Sequence, residues 1–188
     1  MDNGVVYVAI GDNALSEAKL SIKSLNRYND LPVTIIDDFD NPGKGARWAK
    51  LNIDRLVDYD RVLYLDADTR VHGDITNVFK ILDDWDLAIA ASEYQGVEVF
   101  RHIKFGERLQ TVREVGYVPL QLQAGVMFFH RQRCTKLFEA WRQEWQRWQD
   151  QDQAALARAL SKQPVRVWLL GREWNGGGLI EHLFGRCR

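Results

Sequence analysis

Short runs of branched apolar residues alternate along this chain with segments whose apolar residues recur every three to four positions. That alternation restricts the fold to an α/β domain on a mainly parallel sheet flanked by helices. Strands are expected over residues 5–10, 33–36, 61–65, 87–91, 124–129 and 165–169. Between them, residues 13–27 carry Leu15, Ala18, Ile22 and Leu25 on one helical stripe, and residues 46–57 carry Ala49, Ile53 and Leu56. Further helices are expected over 75–82, 135–148 and 152–160. The tryptophans of the 135–148 segment, with Leu137 and Phe138, fall near one side of that helix and read as core rather than as a stacking platform. Residues 40–45 form a loop by their Pro and Gly content. Residues 93–120 mix charged, aromatic and glycine residues without a period, as functional loops often do. The end of the chain, 174–188, is glycine-rich and basic.

The length, 188 residues, allows one sizeable core and no second domain by default. Apolar residues make up 46% and charged residues 27%, which argues against long disorder. A formal net charge of -1 supplies no basic excess for nucleic acid or an anionic membrane. Cys134 and Cys187 have no metal-ligand spacing and read as reduced thiols of an intracellular, cytoplasmic protein. No apolar run approaches the ~20 residues of a membrane span, and the N-terminus lacks the basic start of a signal peptide, so a soluble chain is expected.

The feature that carries chemistry is Val62-Leu63-Tyr64-Leu65-Asp66-Ala67-Asp68-Thr69. An apolar strand ends in two aspartates one residue apart, where ligands bind in open α/β sheets. Paired carboxylates repel unless a cation lies between them, and a hard divalent ion, Mn²⁺ or Mg²⁺, suits oxygen ligands. A diphosphate would complete the coordination shell, with the ion acting as a Lewis acid on a departing nucleotide diphosphate. The plainer alternative is two surface aspartates ending a strand. A third is a haloacid-dehalogenase-type phosphatase, but Arg70 stands where that motif has threonine or valine, and the strand is the third rather than the first.

On these residues the chain resembles glycosyltransferase family 8, the glycogenin-like group of GT-A transferases. Val8-Ala9-Ile10-Gly11-Asp12-Asn13-Ala14-Leu15 is similar to the family's nucleotide-binding opening, with Leu15 where an aromatic ring often stacks on the base. Lys50 matches a basic residue that contacts the donor. Asp66-Ala67-Asp68 matches the metal motif, whose middle residue touches the ribose. Gln123-Ala124-Gly125-Val126 resembles an Asn-Ser-Gly-Val segment whose amide reaches the donor sugar. Asp152-Gln153 resembles an Asp-Gln pair near that sugar, with Asp150-Gln151 as a competing register and a helix N-cap as the structural alternative. His182-Leu183-Phe184-Gly185-Arg186-Cys187-Arg188 is similar to a His-x-x-Gly-x-x-Lys segment, with Arg188 in the lysine's place.

The resemblance implies one GT-A domain over 1–188, with a nucleotide- and metal-binding half (1–92) and a sugar and acceptor half (93–188). It implies transfer of a hexose, with retention, from a nucleotide-diphosphate sugar, a UDP-sugar first, to an acceptor hydroxyl on a saccharide, lipid or protein. Asp66, Asp68 and His182 would hold Mn²⁺ or Mg²⁺. Ala9, Gly11, Leu15, Lys50, Ala67, Gly185, Arg186 and Arg188 would contact the donor, and Gln123 and Asp152 would act on the sugar. Inversion would instead need a carboxylate base, for which Glu93 and Asp152 are candidates. The chain could also form a homo-oligomer, or bind a nucleotide sugar without turning it over.

Overall fold

The computed structural model describes residues 2–38, 43–93, 95 and 100–185. Its centre is a six-stranded sheet in the order β2-β1-β3-β6-β5-β7. The strands are β1 (Asn3–Val8), β2 (Val33–Ile36), β3 (Arg61–Asp66), β5 (Leu87–Ala91), β6 (Leu122–His130) and β7 (Val167–Leu170). β6 runs antiparallel to both its neighbours, and the other pairings are parallel, so the sheet is mainly parallel.

Side chains alternate cleanly between the two faces, as the two-residue period of a strand requires. Val6, Val8, Val62, Tyr64, Met127 and Phe129 join one core cluster, while Val5, Tyr7, Leu63, Leu65, Val126 and Phe128 join the other. Both faces are buried, which is why the strands read as continuous apolar runs. Helix α1 (Asp12–Leu25) packs with the 3-10 helix Thr76–Asp83 on the second face. Helices α2 (Ala46–Leu51), α3 (Ile53–Leu56), α5 (Arg131–Gln146) and α6 (Asp152–Lys162) cover the first. Trp141 is fully buried there, so the tryptophan stripe of α5 contributes core.

Three local expectations are corrected. The helix expected over 46–57 is two helices, because the Asn52 amide donates to the Trp48 carbonyl at 2.8 Å and competes with the helical ladder. The stretch 93–120 contains a helix, α4 (Phe105–Val115). Two strands of three residues, β4 (Thr69–Val71) and β8 (Ile180–His182), pair antiparallel as a separate ribbon. Among the described residues no helix is long and apolar enough to cross a membrane.

Candidate active site

The ribbon brings the two ends of the chain's chemistry together. Asp66 ends β3, Asp68 lies in the turn into β4, and the β4–β8 register sets Thr69 opposite His182. One ligand atom from each of Asp66, Asp68 and His182 lies within 4.8 Å of the others. His182 Nε2 is 3.1 Å from Asp68 Oδ1 and 3.6 Å from Asp66 Oδ2. The turn is held from behind by buried hydroxyls: Thr69 Oγ1 donates to the Asp66 carbonyl at 2.9 Å and lies 2.9 Å from Ser21 Oγ on α1.

The His182 ring is fixed by its other nitrogen. Asn175 donates its amide to the Gln123 carbonyl at 3.2 Å, so its Oδ1, 2.8 Å from His182 Nδ1, accepts. Nδ1 is therefore the donor and Nε2 faces the carboxylates, the arrangement that orients a metal-binding imidazole. Partial burial raises the Asp68 carboxyl, but the facing His182 ring and the hydrogen bond from the Gly185 N–H outweigh it and hold the group at about 2. Two carboxylate oxygens and an imidazole nitrogen form a donor set that fits a hard divalent cation.

Beside the cluster lies a buried charge pair. Lys50 Nζ, on α2, is 2.9 Å from Asp152 Oδ2 and 3.5 Å from Asp66 Oδ1. Burial opposes the charge on Lys50, but Asp152 and Asp66 prevail and raise its pKa. Burial likewise opposes the charge on Asp152, and Lys50 prevails and lowers it. Asp152 is therefore a poor proton acceptor. It is also the first residue of α6 rather than its cap, which is Gln151. Tyr64 donates its hydroxyl to Asp66 Oδ1. Burial, and then the neighbouring Asp66 charge, push the phenol well above its usual range, so it keeps its proton.

These groups line one cleft of about 820 Å³, together with Val8, Ala67, Gln123, Gly125, Gln153 and Gly185. Gln123 donates to Ser92 Oγ at 3.3 Å, and Arg47 holds the turn before α6 through the Asp150 carbonyl at 2.6 Å. Ala9 and Gly11 follow β1 directly, but neither they nor Leu15 are among the residues lining this cleft. Gly11 donates to Asp38 Oδ2 at 2.8 Å, and Leu15 packs partly buried against the second core cluster. Glu93 lines the cleft, 3.7 Å from Arg172. Of the ring-bearing residues of 93–120, Phe100 is core, His102 lines the cleft, and Phe105 and Tyr117 are exposed and not among the residues lining it. Arg186, Arg188, Cys187 and Tyr94 lie outside the described residues. Sequence reasoning missed Tyr64 and Asn175 as supports, and Phe184, which stacks on His182 at 4.2 Å. Tyr64 was findable, since it shares a strand face with Asp66 two residues on.

Known structures of the same fold are similar to this chain over nearly all of it. Mouse xyloside xylosyltransferase 1 is 13% identical with a TM-score of 0.67, the match covering 100% of this chain and 99% of that one. The glycosyltransferase GlyE of Streptococcus pneumoniae is 20% identical with a TM-score of 0.65, covering 99% of this chain and 55% of that one. The galactosyltransferase LgtC, solved with donor and acceptor sugar analogs, is 16% identical with a TM-score of 0.66, covering 100% and 88%. No relative is found among curated proteins. The family model described as glycosyl transferase family 8 matches residues 37–181, more than half of the sequence and the segment that holds Asp66, Asp68 and Asp152. The chain belongs to glycosyl transferase family 8.

Proposed function

We propose that this chain transfers a hexose, with retention, from a nucleotide-diphosphate sugar to an acceptor hydroxyl, using a divalent cation held by Asp66, Asp68 and His182. A UDP-sugar is the first donor to test, and Mn²⁺ or Mg²⁺ the cation. The observation that carries this is the convergence of two carboxylates and one oriented imidazole in the lining of the cleft. When bound, the cation supplies Lewis-acid charge opposite the departing diphosphate.

The chain's own residues do the remainder. The family resemblance assigns the nucleoside to Ala9, Gly11, Leu15 and Ala67 in the 1–92 half, and of these Ala67 lines the cleft. Lys50 places a fixed positive charge 3.5 Å from Asp66, and Arg186, Arg188 and the Gly185 backbone add to it from the C-terminal segment. Preorganised charge aimed at a developing anion is usually the largest catalytic contribution. Gln123 and Asp152, in the 93–188 half, orient the transferred sugar. The Lys50–Asp152 ion pair lowers the basicity of Asp152 and so sets it aside as the base of an inverting mechanism, which leaves Glu93, also in the cleft, as the carboxylate that inversion would use.

Thermal unfolding with UDP and Mn²⁺, separately and together, tests this. A ligand at a hundred times its dissociation constant stabilises the folded state by about 2.7 kcal/mol. For a chain of this size that moves the midpoint by roughly 5–10 °C. The expected result is a larger shift with both ligands than with either, lost in Asp68→Ala. No shift with this pair or with other nucleotides overturns the proposal. Turnover of the bound donor then separates a transferase from a module that only binds it.

A further inference from the structure

We propose that Tyr64 sets which divalent cation the cluster accepts, by making Asp66 a one-oxygen ligand and so favouring a small six-coordinate ion over Ca²⁺. This rests on the metal-dependent transfer proposed above.

The two oxygens of Asp66 have different surroundings. Oδ1 accepts the Tyr64 hydroxyl and lies 3.5 Å from Lys50 Nζ. Oδ2 is the oxygen that faces His182 Nε2, at 3.6 Å. To present both oxygens to one ion, Oδ1 would have to turn toward the ion and share its lone pairs with the Tyr64 hydroxyl, which already fixes its direction. Tyr64 cannot follow it, because its ring is buried in the first core cluster and lies 5.0 Å beneath Lys50 Nζ. Asp68 shows the same division, with Oδ2 accepting the Gly185 N–H at 2.6 Å and Oδ1 facing His182.

Ca²⁺ takes six to eight oxygens and readily uses carboxylates through both, whereas Mg²⁺ needs near-octahedral geometry and Mn²⁺ shares that preference. A site whose carboxylate is locked to one oxygen withholds the extra ligand that Ca²⁺ would use. Removing the lock weakens the orientation that Mn²⁺ exploits and returns the second oxygen to Ca²⁺.

The test is calorimetric titration of MnCl₂ and of CaCl₂ into the full chain, wild type and Tyr64→Phe, with Asp68→Asn as the control for the site itself. Phenylalanine keeps the buried ring and its place beneath Lys50, and an unchanged circular dichroism spectrum and melting profile verify the fold. The expected result is about a tenfold or greater loss of Mn²⁺ affinity in Tyr64→Phe, the usual consequence of removing a ligand's hydrogen-bond partner. The preference for Mn²⁺ over Ca²⁺ should fall with it. A preference equal to the wild type's overturns the inference, whether or not Mn²⁺ affinity drops. If the wild type binds no Mn²⁺, or Asp68→Asn binds it equally well, the metal site fails and this inference with it. A sound site with an unchanged preference defeats the Tyr64 role alone.

Discussion

Gly125→Ala is expected to abolish divalent-cation binding while leaving Asp66, Asp68 and His182 in the chain. Gly125 lies on β6, one step beyond the Val126–Leu65 pair and so beside the end of β3. A Cβ built there would stand 2.3 Å from His182 Cε1, 2.7 Å from its Nδ1 and 2.8 Å from Asp66 Oδ2. Those distances are far inside van der Waals contact, so the imidazole must move. It has little freedom to do so, because it is buried, hydrogen-bonded to Asn175 and stacked on Phe184. Moving it breaks the bond that directs Nε2 at the carboxylates. The loss in Mn²⁺ affinity should be roughly 100-fold or more, at or above the upper end of what disturbing a ligand's support costs. Turnover should fall in parallel, and calorimetry with Mn²⁺ measures the binding directly. The fold should hold, since the clash is with the His182 and Asp66 side chains at the cleft and not with the sheet backbone. Wild-type Mn²⁺ affinity in Gly125→Ala would mean that His182 is not a ligand.

The parts of this structure that were legible in the sequence share a physical cause. β1, β3 and β5 are buried on both faces, so each is an unbroken apolar run that no loop imitates. Asp66 and Asp68 are separated by a single residue, and the strand before them fixes where they emerge. α4 was not legible, because its buried positions include Glu107 and Thr111, which supply no apolar stripe. β4 and β8 were not legible because three residues cannot establish an alternation of two. Without that ribbon, nothing in the local pattern of 174–188 places His182 beside Asp68, and only the family resemblance did so. The Lys50–Asp152 pair joins residues from two distant helices, and alone Lys50 reads as a solvated charge and Asp152 as a helix N-cap. Long-range polar pairs leave no periodic trace, so the supports of the site were the hardest part to foresee.

Those buried polar pairs also carry the largest stability effect. Arg158→Met is expected to destabilise the fold by about 3–5 kcal/mol, the usual cost of leaving a buried ion pair without one partner. For this chain length that lowers the melting midpoint by roughly 6–20 °C. Arg158, on α6, has no exposed surface, and its guanidinium reaches Glu107 and Thr111 on α4 and Glu144 on α5. Glu144 keeps Arg147 and Lys162 when Arg158 is removed. Glu107 keeps nothing comparable: Oε1 loses the Arg158 bond at 2.9 Å, and Oε2 already has no hydrogen-bond partner. Burial has raised the Glu107 pKa even with Arg158 beside it, and removing the guanidinium raises it further. A carboxyl whose folded pKa lies above its unfolded value opposes folding at high pH, and the penalty is relieved as pH falls through the folded value. The deficit of Arg158→Met relative to wild type should therefore shrink as pH is lowered from 7 toward the ordinary carboxylate range. A pure packing defect would not shrink in this way. The double variant Arg158→Met/Glu107→Met should recover most of the loss, since replacing both members of a buried pair with apolar groups is often neutral. Chemical denaturation of the three proteins at two pH values measures both effects. A deficit that is unchanged by pH and by the second substitution would place the cost in the packing of α4 on α6 rather than in the stranded Glu107 charge.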